Sequence, residues 1–172
     1  MKKRLINVLI VHSIWAVRQM FESQDRYHVL SGDSKVKPDL VCFTGGADID
    51  PQLYGEAKLE RTSIDVNRDR EDILAYKEFS DIPKVGICRG GQFLNVMSGG
   101  EMYQHVENHR ISHNMINLLR IPKLEHTLWV SSTHHQMMIP GKDGIVLGIA
   151  ENGTKGLSDT YLSAKPREKP IY

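Results

Sequence analysis

Residues 5–11 (LINVLIV) form a near-continuous aliphatic and β-branched run, the pattern of a strand buried on both faces of a sheet. Ser13 stands where it can cap the helix predicted next, residues 14–23, with Ile14, Val17, Phe21 and Met20 turned inward. A short strand at 27–30 ends in the turn Gly32-Asp33-Ser34. Residues 39–43 (DLVCF) repeat the buried-strand pattern and stop abruptly at Thr44-Gly45-Gly46. Residues 47–64 are polar and irregular, with Pro51 and Gly55, and read as a long loop of the kind that usually carries function. A charged amphipathic helix is predicted over 67–79, with Ile73, Leu74, Tyr76 and Phe79 as its inner face. A strand at 84–87 and a helix at 90–97 follow. Beyond Ser98-Gly99-Gly100 the pattern turns strand-rich, at 115–121, 127–131, 145–150 and 157–162.

Strands alternating with helices predict an α/β domain whose mostly parallel sheet is covered on both faces. The later strands predict a small antiparallel extension. The chain has 172 residues, which suits a single domain over 1–172. Its 22 basic and 21 acidic side chains leave a net charge of +1, so no electrostatic case for nucleic acid or an anionic membrane arises. The basic start Met1-Lys2-Lys3-Arg4 resembles the head of a signal peptide, but the apolar run after it is broken by Asn7 and stopped by His12-Ser13. That is too short and polar for a signal or a membrane span. Two cysteines make no disulfide framework, and a reducing, cytoplasmic location is expected.

The strongest chemical signal is Gly86-Ile87-Cys88-Arg89-Gly90, a G-x-C-x-G between a strand and a helix. A nucleophile at the tip of a sharp strand-to-helix turn needs glycine two residues to either side, where side chains would collide. The turn lifts the sulfur above the carboxyl edge of the sheet, where open α/β sheets bind ligands. It also puts Cys88 at a helix N-terminus, where partial positive charge favours the nucleophilic thiolate. Cys42, inside an apolar strand, reads as core filling. Acyl transfer at Cys88 would need donors aimed at a developing oxyanion. One is the backbone N–H of Arg89; the other is expected from the bare backbone of Thr44-Gly45-Gly46.

Residues 43–55 (FTGGADIDPQLYG) resemble the oxyanion-loop block of the γ-glutamyl-γ-aminobutyrate hydrolase branch of the class I glutamine amidotransferases. Residues 85–100 (VGICRGGQFLNVMSGG) are similar to the nucleophile block of that branch at every position. Asp65, Asp69 and the helix after them resemble its acidic helix, and Ser132-Thr133-His134-His135-Gln136 its later substrate-contacting segment. The resemblance implies a flavodoxin-like three-layer α/β sandwich and a γ-glutamyl thioester on Cys88. It implies oxyanion N–H groups from Gly46 and Arg89, and a substrate contact from Gly45. It also implies that Gln92, His134 and His135 hold the glutamyl part of the substrate. No cofactor and no metal is implied.

A thiol nucleophile of this kind needs a general base, which the family takes from an H-x-E motif near the C-terminus. No histidine follows His135, and the one H-x-E run, His105-Val106-Glu107, stands just after the nucleophile helix, out of place. The expectation is therefore a chain lacking the C-terminal segment that carries the motif. His105, His109 and His113 share an i, i+4, i+8 spacing, but their neighbours give no helical stripe, so no metal site is read. Three functions remain open: hydrolysis of a γ-glutamyl amide, a glutaminase component passing ammonia to a separate synthetase or ligase chain, and a non-catalytic domain that keeps the pocket without the base.

Overall fold

The computed structural model describes residues 4–106, 110–119, 124–150 and 161–162. The chain divides into two compact units, the described residues of Met1–Asp50 with Ser63–Leu94, and those of Pro51–Thr62 with Asn95–Tyr172.

The first unit is built on four parallel strands, β1 (Ile6–Val11), β2 (Tyr27–Val29), β3 (Leu40–Phe43) and β4 (Lys84–Gly86), in the order β2-β1-β3-β4. In register, Val11 lies beside Phe43 and Phe43 beside Gly86. The helices are α1 (Trp15–Glu22), α2 (Val66–Glu78) and α3 (Arg89–Met97). Val41, Cys42 and Phe43 are all fully buried, as a strand covered on both faces requires. Cys42 joins Val8, Ile10, Val17 and Val29 in one cluster, with Val17 supplied by α1. Its neighbour Phe43 faces the other way, against Phe93 of α3 at 5.1 Å, and Phe93 in turn meets Tyr76 of α2 at 6.1 Å. Helices therefore cover the parallel sheet on both sides, giving the three layers of a flavodoxin-like α/β fold.

Two helix expectations are corrected. Helix α1 starts one residue late: Ile14, in extended conformation, holds the N-cap position and no side chain caps it, so Ser13 lies outside. His12 takes a left-handed φ of 53° at the strand end, and that turn uses the residues expected to open the helix. In α2, Leu74 is 59% exposed, whereas Asp69 and Asp72 are buried. The inner face is acidic because a buried cation, the Arg89 guanidinium, pairs with it. Asp65 caps this helix by accepting the Arg68 N–H at 3.1 Å.

The second unit is antiparallel throughout its described pairings. Strands β7 (His113–Asn117), β8 (Thr127–Val130) and β10 (Gly148–Ala150) form one sheet in the order β10-β7-β8. Strand β5 (Glu101–Tyr103) pairs with β9 (Met137–Ile139), and β6 (His105–Val106) with β11 (Tyr161–Leu162). The predicted loop is partly structured: Pro51–Tyr54 is a 3-10 turn, and the segment after it is held by Gln104. The fully buried Gln104 amide donates to Glu56 at 2.8 Å and to the Ala57 carbonyl at 2.9 Å. Its oxygen accepts from Leu59 N–H at 3.0 Å and the Thr62 hydroxyl at 2.9 Å. Among the described residues no helix is long and apolar enough to cross a membrane.

Candidate active site

The G-x-C-x-G turn is built as its glycines demand. Cys88 has a φ of 56°, a left-handed conformation that a β-carbon makes costly. A β-carbon on Gly86 would fall closer than 3.0 Å to the Gly90 backbone, and one on Gly90 would fall as close to the Phe43 carbonyl. Strand β4 and the start of α3 can meet at this angle only with glycine at 86, and α3 can pass this close to β3 only with glycine at 90. The Cys88 carbonyl accepts from Gly91 N–H at 2.9 Å and Gln92 N–H at 3.2 Å, so Cys88 opens α3. Its thiol is exposed. Cys42 is the opposite case: fully buried, with burial pushing its thiol up to about 11.

Strand β3 delivers the glycine loop to the same edge. A β-carbon on Gly45 would stand 3.8 Å from the Cys88 β-carbon, and one on Gly46 would stand 3.2 Å from Cδ of Arg89. Gly45, Gly46, Cys88 and Arg89 thus come together at the carboxyl ends of β3 and β4. The strand order changes direction between β1 and β3, and such a switch point is where open α/β sheets leave a crevice. Gln92 lies one turn along α3 from Cys88 and is buried. His134 and His135 belong to the second unit. His134 Nδ1 is 2.8 Å from the Gln136 carbonyl, which fixes the ring proton on Nδ1, and burial pushes its pKa down. His135 Nδ1 is 3.0 Å from His105 Nδ1, while Arg61 lies 2.9 Å from His105 Nε2. A guanidinium only donates, so His105 Nε2 accepts and its Nδ1–H donates onward to His135. The His105-Val106 part of the misplaced H-x-E lies on β6; Glu107 and His109 fall outside the described residues.

Sequence reasoning missed what the Arg89 side chain does. It is 2% exposed and forks onto two buried carboxylates, Nη1 to Asp72 and Nη2 to Asp69. Asp69 also accepts the Asp50 N–H at 3.0 Å. Asp72 accepts from Arg68 Nε at 3.2 Å, and Arg68 Nη2 donates to the Thr44 hydroxyl at 3.1 Å and carbonyl at 3.3 Å. The Thr44 hydroxyl donates to the His12 carbonyl at 2.8 Å, and the His12 ring lies 3.2 Å from Glu71 and 3.5 Å from Asp72. Burial pushes the Asp69 carboxyl upward, while the Asp50 N–H and Arg89 pull it down. One signal was available: Asp69 and Asp72 stand three apart, which puts two carboxylates on a single helix face.

Residues 36–154 match the family model of Peptidase C26. The glutamine amidotransferase-like protein YvdE of Lactococcus lactis subsp. lactis (strain IL1403) is 34% identical over 150 aligned positions, covering 68% of this chain and 61% of that protein. The chain thus spans about three-fifths of that relative's length. Two crystal structures share the fold. One, of a candidate GMP synthase component from Thermoplasma acidophilum, has a TM-score of 0.60 at 15% identity, covering 86% of this chain and 74% of that one. The other, of a glutamine amidotransferase from Thermotoga maritima, has a TM-score of 0.59 at 16% identity, covering 83% and 66%. At such identities the two structures speak for the fold alone.

Proposed function

The chain belongs to the Peptidase C26 family, and from that premise we propose that it cleaves a γ-glutamyl amide by way of a γ-glutamyl thioester on Cys88. The observation that carries this reading is an exposed thiol on a left-handed turn, with the bare Gly45-Gly46 backbone set against it. In the proposed reaction the Cys88 sulfur attacks the γ-carbonyl carbon. The backbone N–H groups of Gly46 and Arg89 receive the developing oxyanion, the amine departs with a proton, and water then resolves the thioester. Gly45 lines the approach, and Gln92, His134 and His135 are proposed to hold the glutamyl group. The substrate branch proposed is the γ-glutamyl-γ-aminobutyrate type, acting in a reducing, cytoplasmic compartment where the thiol stays free.

A second reading shares the same first half. A glutaminase component would form the same thioester from glutamine and pass the ammonia to a separate synthetase or ligase chain. Ammonia release from glutamine and amine release from γ-glutamyl-γ-aminobutyrate, each with Cys88→Ala as control, separate the two by substrate preference. General acid–base help is worth about 10² to 10⁴ in rate. The only H-x-E run within residues 1–172 is His105-Val106-Glu107, so these residues assayed by themselves are expected to form the thioester and turn it over slowly. If no Cys88-dependent adduct forms with any γ-glutamyl substrate, by intact-mass measurement, the proposal is wrong and the non-catalytic reading stands.

A further inference from the structure

Arg89 occupies the position directly after the nucleophile, yet its side chain is sealed from solvent and points onto the Asp69 and Asp72 carboxylates. We infer that this guanidinium is a positioning residue. Held by the two aspartates of α2, it sets the distance between the Gly46 and Arg89 backbone N–H groups that receive the oxyanion. The inference rests on the reading of Cys88 as an acylated nucleophile.

Three separate segments converge on this one cation. The elbow contributes Arg89 itself. Helix α2 contributes Asp69 and Asp72, three residues apart and so on one helix face. The glycine loop is tied in twice: Asp69 accepts the Asp50 N–H at 3.0 Å, and Asp72 binds Arg68, which reaches the Thr44 carbonyl and hydroxyl at 3.3 and 3.1 Å. Between these ties the backbone of Gly46 lies on the two arginine side chains. A β-carbon there would stand 3.2 Å from Arg89 Cδ and 3.3 Å from Arg68 Nη1. Both proposed oxyanion donors are therefore backbone groups of residues that the clamp touches directly.

Stability alone is a weak reason for this arrangement. Exchanging a buried ion pair for packed apolar side chains is often neutral or stabilising. What apolar packing lacks is direction: a planar guanidinium held at two nitrogens fixes both distance and angle. Direction matters beside a tetrahedral intermediate, where a misplacement of about 1 Å costs about 10²-fold in rate and loss of one oxyanion donor costs about 10²- to 10³-fold.

The test compares two electrophiles on Cys88 in residues 1–172. A γ-glutamyl p-nitrophenyl ester reacts through an oxyanion: the C–S bond forms, the C–O bond breaks, and p-nitrophenolate leaves without needing a proton. Iodoacetamide reacts by direct displacement of iodide and forms no oxyanion. Two variants are used, Arg89→Lys, which keeps the charge but not the fork, and Asp69→Leu with Arg89→Met, which removes one charge of each sign. In both, acylation at saturating ester is expected to fall about 10²-fold with little change in half-saturating concentration, while alkylation changes less than about threefold. The melting temperature of each variant is recorded alongside. Acylation that is unchanged, or that falls in step with alkylation, overturns the positioning role. A wild-type chain whose Cys88 is alkylated but never acylated overturns the nucleophile reading and this inference with it.

Discussion

The close approach of Gly90 to Phe43 can be tested without any substrate. In Gly90→Ala the new β-carbon would lie closer than 3.0 Å to the backbone carbonyl of Phe43, and at 3.0 Å from its side chain. Ordinary contact is about 3.5 Å or more, and neither partner has a free end to swing away. Relief has to come from separating β3 from the start of α3. That movement strains the hydrogen bond from Ile87 N–H to the Phe43 carbonyl, 3.0 Å long and next to the fully buried Phe43 ring. Overpacking of this kind costs about 1–3 kcal/mol, and weakening a buried hydrogen bond about 1–3 kcal/mol more. Replacing glycine in a helix returns up to about 1 kcal/mol. A net loss of about 3 kcal/mol should lower the melting point by about 6–12 °C in a chain of this size. Gly91→Ala is the internal control. Its β-carbon would meet nothing nearer than the Gly86 carbonyl at 3.5 Å, so it should match wild type or gain up to about 1 kcal/mol. Thermal melts and urea titrations of the two alanine variants decide the matter. Equal stability of Gly90→Ala and Gly91→Ala would refute the geometry claimed for the elbow.

Two further outcomes are expected. In folded protein at pH 7.5, iodoacetamide should modify Cys88 at least about 100-fold faster than Cys42, because Cys88 is exposed while the buried Cys42 thiol, pushed up to about 11, holds a thiolate fraction of only about 10⁻³ to 10⁻⁴; peptide mapping showing equal labelling would contradict this. Burial raises the folded-state pKa of Asp69 above its unfolded value, so its contribution to stability is present at acid pH and is lost as pH rises through the raised value. The stability of wild type relative to Asp69→Asn should therefore decline as pH is raised from about 4 towards neutrality, and a rise over that range in paired urea titrations would mean that Arg89 outweighs burial.

How much of this was legible in the sequence depends on how local the cause is. The elbow was readable because both of its close approaches need a glycine beside Cys88, Gly86 where β4 meets the start of α3 and Gly90 where α3 meets Phe43 of β3. The parallel sheet was readable because β1 and β3 are covered on both faces and so are apolar at nearly every position. The inner face of α2 was only partly legible: Tyr76 packs inward on Phe93 as expected, but the cause of the buried acidic residues is distant. Asp69 and Asp72 are buried by a cation 20 and 17 residues further along the chain, and hydropathy assigned that face to Leu74 instead. Strands β5, β6 and β9 escaped notice because two or three residues are too few to establish a period. In the long loop the cause is again remote, since the carboxamide of Gln104 organises residues 56–62 from the far side of the nucleophile helix in sequence.

The strain at Cys88 bears on how the catalytic reading should be controlled. A left-handed β-carbon costs about 1–2 kcal/mol. Four backbone hydrogen bonds fix the turn, from Gly90 to the Ile87 carbonyl, from Gly91 and Gln92 to the Cys88 carbonyl and from Ile87 to Phe43. At about 1 kcal/mol net each they offset the strain. The conformation therefore belongs to the surrounding backbone and not to the sulfur, and it persists when the sulfur is removed. Cys88→Ala keeps a β-carbon and with it the strain. Cys88→Gly removes both, at the cost of a more flexible unfolded chain, a loss of about 0.4–1 kcal/mol that only partly cancels the relief. Cys88→Gly should thus equal or exceed Cys88→Ala in stability by up to about 1 kcal/mol, or about 2–4 °C in melting temperature. At an ordinary position near a helix start the order is reversed, because glycine there brings the entropy cost without relieving anything. A Cys88→Gly variant that melts several degrees below Cys88→Ala would show that residue 88 relaxes out of the left-handed region once the thiol is gone. The turn would then be held by the cysteine itself and not by its glycine neighbours.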